Sequence, residues 1–133
     1  MENNKEEKRT RRDKETIENN IINATRNLVE TNGFFNTTVS AIIQKADIES
    51  AVFYNRYKDI DDLFDRFTRS YDYWVNDAAK FDPNLTPYQN WENIIVNLID
   101  SLNNDAIMQQ LLLWELSEDN WITRRTSENR ERF

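Results

Sequence analysis

The sequence has no cysteine and no histidine, one glycine and two prolines in 133 residues. Without cysteine there is no disulfide scaffold, no thiolate zinc site and no thiol nucleophile. Without histidine there is no imidazole metal ligand, no imidazole general base and no Ser–His pair. A single glycine excludes a glycine-rich phosphate loop, and with two prolines it leaves little turn chemistry for a β-rich fold. Long apolar runs are missing too. The densest stretch, Leu111 to Trp114, is far short of the ~20 residues that cross a bilayer. The charged N-terminus has no apolar signal core. These absences leave a soluble, all-helical, non-enzymatic protein, expected in the cytoplasm, with no cofactor and no metal.

What is present is aromatic and charged. Seven Phe, five Tyr and four Trp are too many aromatics for a disordered chain. The length suits one domain or a small two-part unit. The net charge of −7 argues against binding nucleic acid, because phosphate affinity comes from Lys and Arg, but the charge is uneven. Residues 1–58 hold 10 Lys+Arg against 9 Asp+Glu, net +1; residues 59–133 hold 7 against 15, net −8. Lys8, Arg9, Arg11, Arg12 and Lys14 oppose only Asp13, a local +4. The acidity belongs to the second part.

Apolar spacing places the elements. Residues 1–13 show no apolar period and read as a mobile arm. Ile17, Ile21, Ala24 and Leu28 make one stripe of a helix over about 14–32. Gly33 follows, where a left-handed cap is expected, and Phe34 and Phe35 should fold back onto the helix end. A second helix starts at Thr37 or Thr38, both good N-caps, and carries Val39, Ile42 and Ile43. A turn at Ala46-Asp47-Ile48 needs a left-handed residue, which Asp tolerates. A third helix covers about 49–57. A fourth begins with Asp59 as cap and Asp61 and Asp62 in its first turn, and its stripe runs from Ile60 through Leu63, Phe67, Tyr71 and Trp74 to Ala78. Thr86-Pro87 opens a fifth helix with Trp91, Ile94 or Ile95, Leu98 and Leu102. A sixth carries Ile107, Leu111, Trp114 and Leu116. Residues 120–133, with Arg124, Arg125, Arg130 and Arg132, read as a solvated helix without a nucleic-acid role.

The informative constellation is residues 38–57: two short helices joined by a three-residue turn and flanked by longer ones. A second helix this short can enter a major groove ~12 Å wide with its N-terminal residues toward base edges. The first can grip phosphates through Thr hydroxyls and N-terminal amides. Val39, Ile42, Ile43, Ile48 and Phe53 can fix the crossing.

The run Ile21-Ile22-Asn23-Ala24, Leu28, Gly33-Phe34, Thr37-Thr38-Val39, Ile42, Ala46, Ile48, Phe53-Tyr54 and Leu63 resembles the N-terminal domain of tetracycline-repressor-type (TetR) regulators over about residues 14–70. The resemblance implies a bacterial regulator, usually a repressor. Such a protein binds a double-stranded operator as a homodimer and lets go when a small hydrophobic molecule enters its C-terminal domain. It implies an N-terminal arm and helix-turn-helix domain over 1–58, then a partial helical regulatory and dimerisation domain over 59–133 that lacks the family's last helices, in a fragment or a shortened member. Carried over position by position, it puts Thr37 and Thr38 at the start of the second helix, with Thr38 on a phosphate. Ser50, Ala51, Val52 and Asn55 face the groove, and Tyr54 anchors a phosphate. Tyr57 fills the aromatic position after the reading helix, and Lys58 lies near the phosphate-binding lysine, whose usual place Ile60 holds. The turn, commonly Gly-Val-Ser, reads Asp47-Ile48-Glu49 here. Arg11 and Arg12 of the basic arm could reach the neighbouring minor groove or backbone.

Tyr71, Trp74, Trp91, Ile95, Leu98, Leu111 and Trp114 are the candidate ligand-pocket residues, although aromatics at helical spacing also serve as plain core. Asp59, Asp61, Asp62 and Asp65 read as a helix start and solvated face rather than a metal site. The rival reading is a helical protein-interaction bundle whose acidic second half binds a basic partner.

Overall fold

The structure is a computed structural model that describes the backbone of residues 2–71 and 79–131, and the side chains of 13–69, 71 and 79–130. Among the described residues it forms seven α-helices, one 3-10 turn and no strand. They are α1 (Glu2–Asn32), α2 (Val39–Ala46), α3 (Ser50–Tyr54), α4 (Ile60–Thr68), a 3-10 turn (Arg69–Tyr71), α5 (Pro87–Asn104), α6 (Ala106–Ser117) and α7 (Trp121–Glu131). The chain divides into two compact units, Met1–Leu63 and Phe64–Phe133. The division falls inside α4.

In the first unit α1 packs on α2. Ile21, Ala24, Ile42, Ala46, Phe53, Tyr57 and Leu63 form its buried core, with Ile17, Leu28, Val39, Ile43 and Ile48 against the edge. Local chemistry sets the helix ends. Gly33 takes φ 77°, and its N–H donates to the Val29 carbonyl at 2.8 Å, closing α1 as expected of a residue with no Cβ penalty. Phe34 is buried beneath the turn while Phe35 is exposed, so only one of the pair folds back. Asp59 Oδ1 accepts from the Asp62 N–H at 2.8 Å, and Asp62 Oδ2 accepts from the Lys58 N–H at 2.9 Å. These two bonds start α4.

Three expectations change here. Residues 2–13, read as a mobile arm, continue α1. Lack of an apolar stripe removes packing, not helicity, and this stretch holds mostly good helix formers with neither Gly nor Pro. The third helix is shorter than 49–57. And α4 gives way to a 3-10 turn after Thr68: the Thr68 hydroxyl donates back to the Phe64 carbonyl at 2.7 Å, and the Asp65 carbonyl accepts from Arg125 at 3.2 Å, which competes with the next helical bond. The expected continuation through Trp74 to Ala78 lies outside the described residues.

In the second unit α6 packs on both α5 and α7. Thr86 and Gln89 form a reciprocal capping box, with Pro87 behind the cap. Asp105 caps α6 through the Met108 N–H at 3.0 Å. Ile107, Met108, Leu111 and Trp114 are buried, with Ile122 from α7 also in the core. Phe64 meets Trp114 edge to face, centroids 5.5 Å apart.

Here too the structure corrects the sequence reading. Residues 121–131 are not a solvated helix: Ile122, Thr123 and Thr126 are buried. Arg130 bonds both Glu115 carboxylate oxygens at 2.6 and 2.7 Å. Arg125 pairs with Asp65 and donates to the Thr68 hydroxyl at 2.7 Å. Burial lowers the Arg125 pKa from its ordinary value. The α5 stripe is not core, since the buried residue of α5 is Asn90 while Trp91 and Ile95 face solvent. Asn90 turns inward because its amide serves the preceding loop, donating to Asp82 O and accepting from Asp82 N, both at 2.9 Å. Leu116 is exposed rather than part of the sixth helix's packed face.

Candidate nucleic-acid interface

The site grows from three local devices. The first is the N-cap of α2. Thr38 Oγ1 accepts from the Ala41 N–H at 3.2 Å, which leaves the hydroxyl proton of this exposed side chain to donate outward. The second is the turn. Asp47 sits at φ 54° and ψ 53°; its N–H reaches the Gln44 carbonyl at 3.3 Å, and the Ile48 N–H reaches the Ile43 carbonyl at 3.2 Å. This pair of bonds is a Schellman closure, with apolar Ile48 and Ile43 at its two ends. The third is Phe53, which is 0% exposed and locks α3 onto the core.

With Phe53 pinned, the helical period decides what faces out. Ser50, Ala51, Tyr54 and Asn55 are exposed, and Val52 is half-buried. Tyr54 stands 55% exposed, its ring edge-on to Phe53. Asn55 is the C-cap of α3, one residue past the helix. Lys58 is exposed in the turn that follows. The result is a five-residue helix whose outer surface carries hydroxyl, methyl, phenol and amide groups, narrow enough for a major groove.

Two candidates do not belong to that surface. Thr37 is buried, and its hydroxyl donates to the Gly33 carbonyl at 2.8 Å; it ties the loop after α1 instead of meeting a phosphate. Tyr57 is 2% exposed, its ring 5.4 Å from that of Phe53; it is core. Arg11 and Arg12 fall on α1, with side chains outside the described residues. One feature was missed from the sequence. Asn20, Asn23 and Asn27 of α1 line a polar cleft of about 290 Å³ with Lys45 of α2, and their spacing of three and four residues was the available signal.

The described candidate ligand residues do not share one lining. Leu111 and Trp114 are packed core, Trp91 and Ile95 lie in solvent, Leu98 and Tyr71 are half-buried, and Trp74 lies outside the described residues. A groove of about 470 Å³ does lie between α6 and α7, lined by Leu112, Glu115, Leu116, Ser127 and Arg130. None of the six described candidates lines it. Among the described residues no group of three acidic side chains could hold a metal ion, and no helix is long and apolar enough to cross a membrane.

A buried three-helix core that presents a short second helix after an Schellman-closed turn defines a helix-turn-helix DNA-binding domain. Residues 21–67 match the model of the family described as bacterial regulatory proteins, tetR family, and are its N-terminal helix-turn-helix domain. Over these residues the chain carries the DNA-binding domain of a transcriptional regulator of this type, a family of regulators and not of enzymes. No curated protein and no solved structure matches it.

Proposed function

We propose that the chain binds an operator as a homodimer, acts in the cytoplasm as a repressor, and releases its site when a small molecule binds the second unit. Ser50, Ala51, Val52 and Asn55 read base edges. Tyr54, Thr38 and Lys58 hold phosphates through a phenol, a hydroxyl and an ammonium group. Arg11 and Arg12, on the helical extension of α1, add positive charge beside the duplex. The observation that carries this reading is the exposure of Ser50, Ala51, Tyr54 and Asn55 on one short helix pinned by a fully buried Phe53.

Charge supports it as well. The first 58 residues are net +1 while the remainder is net −8, so the face offered to DNA is spared most of the chain's negative charge. The ligand step rests on the groove between α6 and α7, where Leu112 and Leu116 stand beside the Glu115–Arg130 pair. An apolar molecule with one polar end suits such a lining. Residues 60–63 of α4 belong to the first unit and 64–68 to the second, so a change in one unit has a covalent route to the other.

The test is a selection of bound sites from random duplex DNA with the full chain. The expected product is an inverted repeat, bound with an affinity that falls steeply as salt rises. Failure to retain any duplex at low salt overturns the reading in favour of a protein-interaction bundle.

A further inference from the structure

Asp65 and Arg125 are 60 residues apart in the chain and meet with side chains only 12% and 19% exposed. Arg125 of α7 spans the second half of α4. Its guanidinium pairs with the Asp65 carboxylate, donates to the Asp65 carbonyl at 3.2 Å and donates to the Thr68 hydroxyl at 2.7 Å. Arg69 adds a bond to the same carboxylate at 2.9 Å, but its own side chain stands mostly in solvent. As a source of stability the arrangement is poor. Charges this dry lose much of their hydration, and the buried Arg125 Nε has no hydrogen-bond partner among the described residues. An apolar pair of similar volume often holds a fold as well or better. What the ion pair adds is register. Two helices can slide over methyl groups, but not past a guanidinium bonded to three oxygens of its neighbour.

We propose that Arg125 is a positioning residue for DNA binding: acting through Asp65 and Thr68, it fixes where α4 stops being an α-helix and the face by which α7 grips it. This deepens the operator reading above and rests on it. Residues 60–63 of α4 go with the first unit and 64–68 with the second, so whatever fixes the far end of α4 bears on a helix that starts in the DNA-binding domain. The place of the break matters. A 3-10 turn advances roughly 120° and 2.0 Å per residue, an α-helix roughly 100° and 1.5 Å. Over residues 69–71 the two differ by about 60° and about 1.5 Å. An operator of two half-sites demands recognition helices about 34 Å apart. A connector free to end in more than one place leaves only a fraction of molecules with the matching geometry, and apparent affinity falls by that fraction. Arg130 supplies the control. It leaves α7 about 140° round from Arg125 and bonds Glu115 of α6 instead.

The experiment uses the full chain and the duplex recovered by random-site selection. Arg125→Met alone strands the Asp65 charge and should destabilise the second unit, so the informative variant is Arg125→Met combined with Asp65→Leu. Its urea midpoint should match or exceed that of the parent. Amide exchange should slow across residues 69–71 as α-helix extends past Thr68, and affinity for the selected duplex should fall about fivefold, as when a fifth of the molecules keep the matching geometry. Arg130→Met with Glu115→Gln should bind that duplex within twofold of the parent. A double variant as stable as the parent, with unchanged exchange at 69–71 and unchanged affinity, overturns the proposal and leaves the pair as packing. A double variant much less stable than the parent overturns it too, because the pair then serves stability and not register. If the parent selects no duplex, the operator reading falls and the role in DNA binding falls with it, whereas a selected duplex bound equally by parent and double variant sinks the positioning role alone.

Discussion

The ring of Tyr54 stands edge-on to that of Phe53, centroids 5.2 Å apart and planes 83° apart. One ring is wholly buried and the other more than half exposed. Burial of the first fixes where the second can point, because α3 is only five residues long and has no other fully buried side chain to hold it. The exposed phenol therefore costs the fold little and is held in place by core packing, the arrangement that precise contact with a ligand requires. Phe53→Ala should accordingly unfold the first unit, while changes at Tyr54 should be felt in binding alone.

Tyr54→Phe is expected to weaken binding to every duplex by a similar factor, roughly tenfold for a lost hydrogen bond to a charged phosphate. Thermal stability should not change, since only an exposed hydroxyl is removed. Anisotropy titrations of the selected site and of an unrelated duplex, at one salt concentration, measure both factors. A loss confined to the selected site would assign Tyr54 to base reading and not to the backbone.

Asn55→Ala should relax base preference with a smaller effect on non-specific affinity. Its amide offers both a donor and an acceptor, the pairing that suits an adenine edge, and a good bidentate contact is worth about 1–3 kcal/mol of discrimination. Repeating the random-site selection with the variant should show one degenerate position in each half-site. An unchanged preference would remove Asn55 from the reading surface.

Much of this surface was legible in the sequence because its signals are local. The Thr38 cap, the left-handed Asp47 and the apolar spacing of Ile42, Ile43 and Phe53 each act within a turn or two of chain. Spacing alone did not tell an inward aromatic from an outward one, so Tyr57 was grouped with Tyr54 although the chain turns it into the core. Thr37 and Thr38 are chemically alike, and only the loop from Gly33 decides which hydroxyl is consumed. The second unit was harder to read. Arg125 and Arg130 look solvated until Asp65, 60 residues earlier, and Glu115, 15 residues earlier, are brought to them. The apolar period of α5 was plain, but periodicity says that a face wants cover and not whether the same chain supplies it.

The turn between α2 and α3 gives a stability prediction. At φ 54° a Cβ crowds the following carbonyl, a strain of ~1–2 kcal/mol that Gly avoids and that Asp offsets in part. Asp47→Ala should destabilise the first unit by about 1 kcal/mol, and Asp47→Gly should be neutral or stabilising. Urea unfolding of the two variants and the parent checks the order. A stable Asp47→Ala would mean that the turn relaxes out of the left-handed region and the Schellman closure does not hold α3.

The Glu115–Arg130 pair tests how the second unit holds α7. The two side chains are 10% and 19% exposed, and Thr126 donates to the same carboxylate at 2.6 Å, so the carboxylate is well satisfied and poorly hydrated. Removing one partner from such a pair strands a charge in a place water hardly reaches, which costs about 3–5 kcal/mol when burial is complete and somewhat less here. Arg130→Met should therefore destabilise the second unit by roughly 2–3 kcal/mol. Adding Glu115→Gln to it should return part of the loss, because the amide keeps an acceptor for Thr126 without the stranded charge. A double-mutant cycle by urea unfolding isolates the coupling. Duplex binding by the parent and by each folded variant should agree within twofold in the absence of ligand, since the pair lies wholly within the second unit.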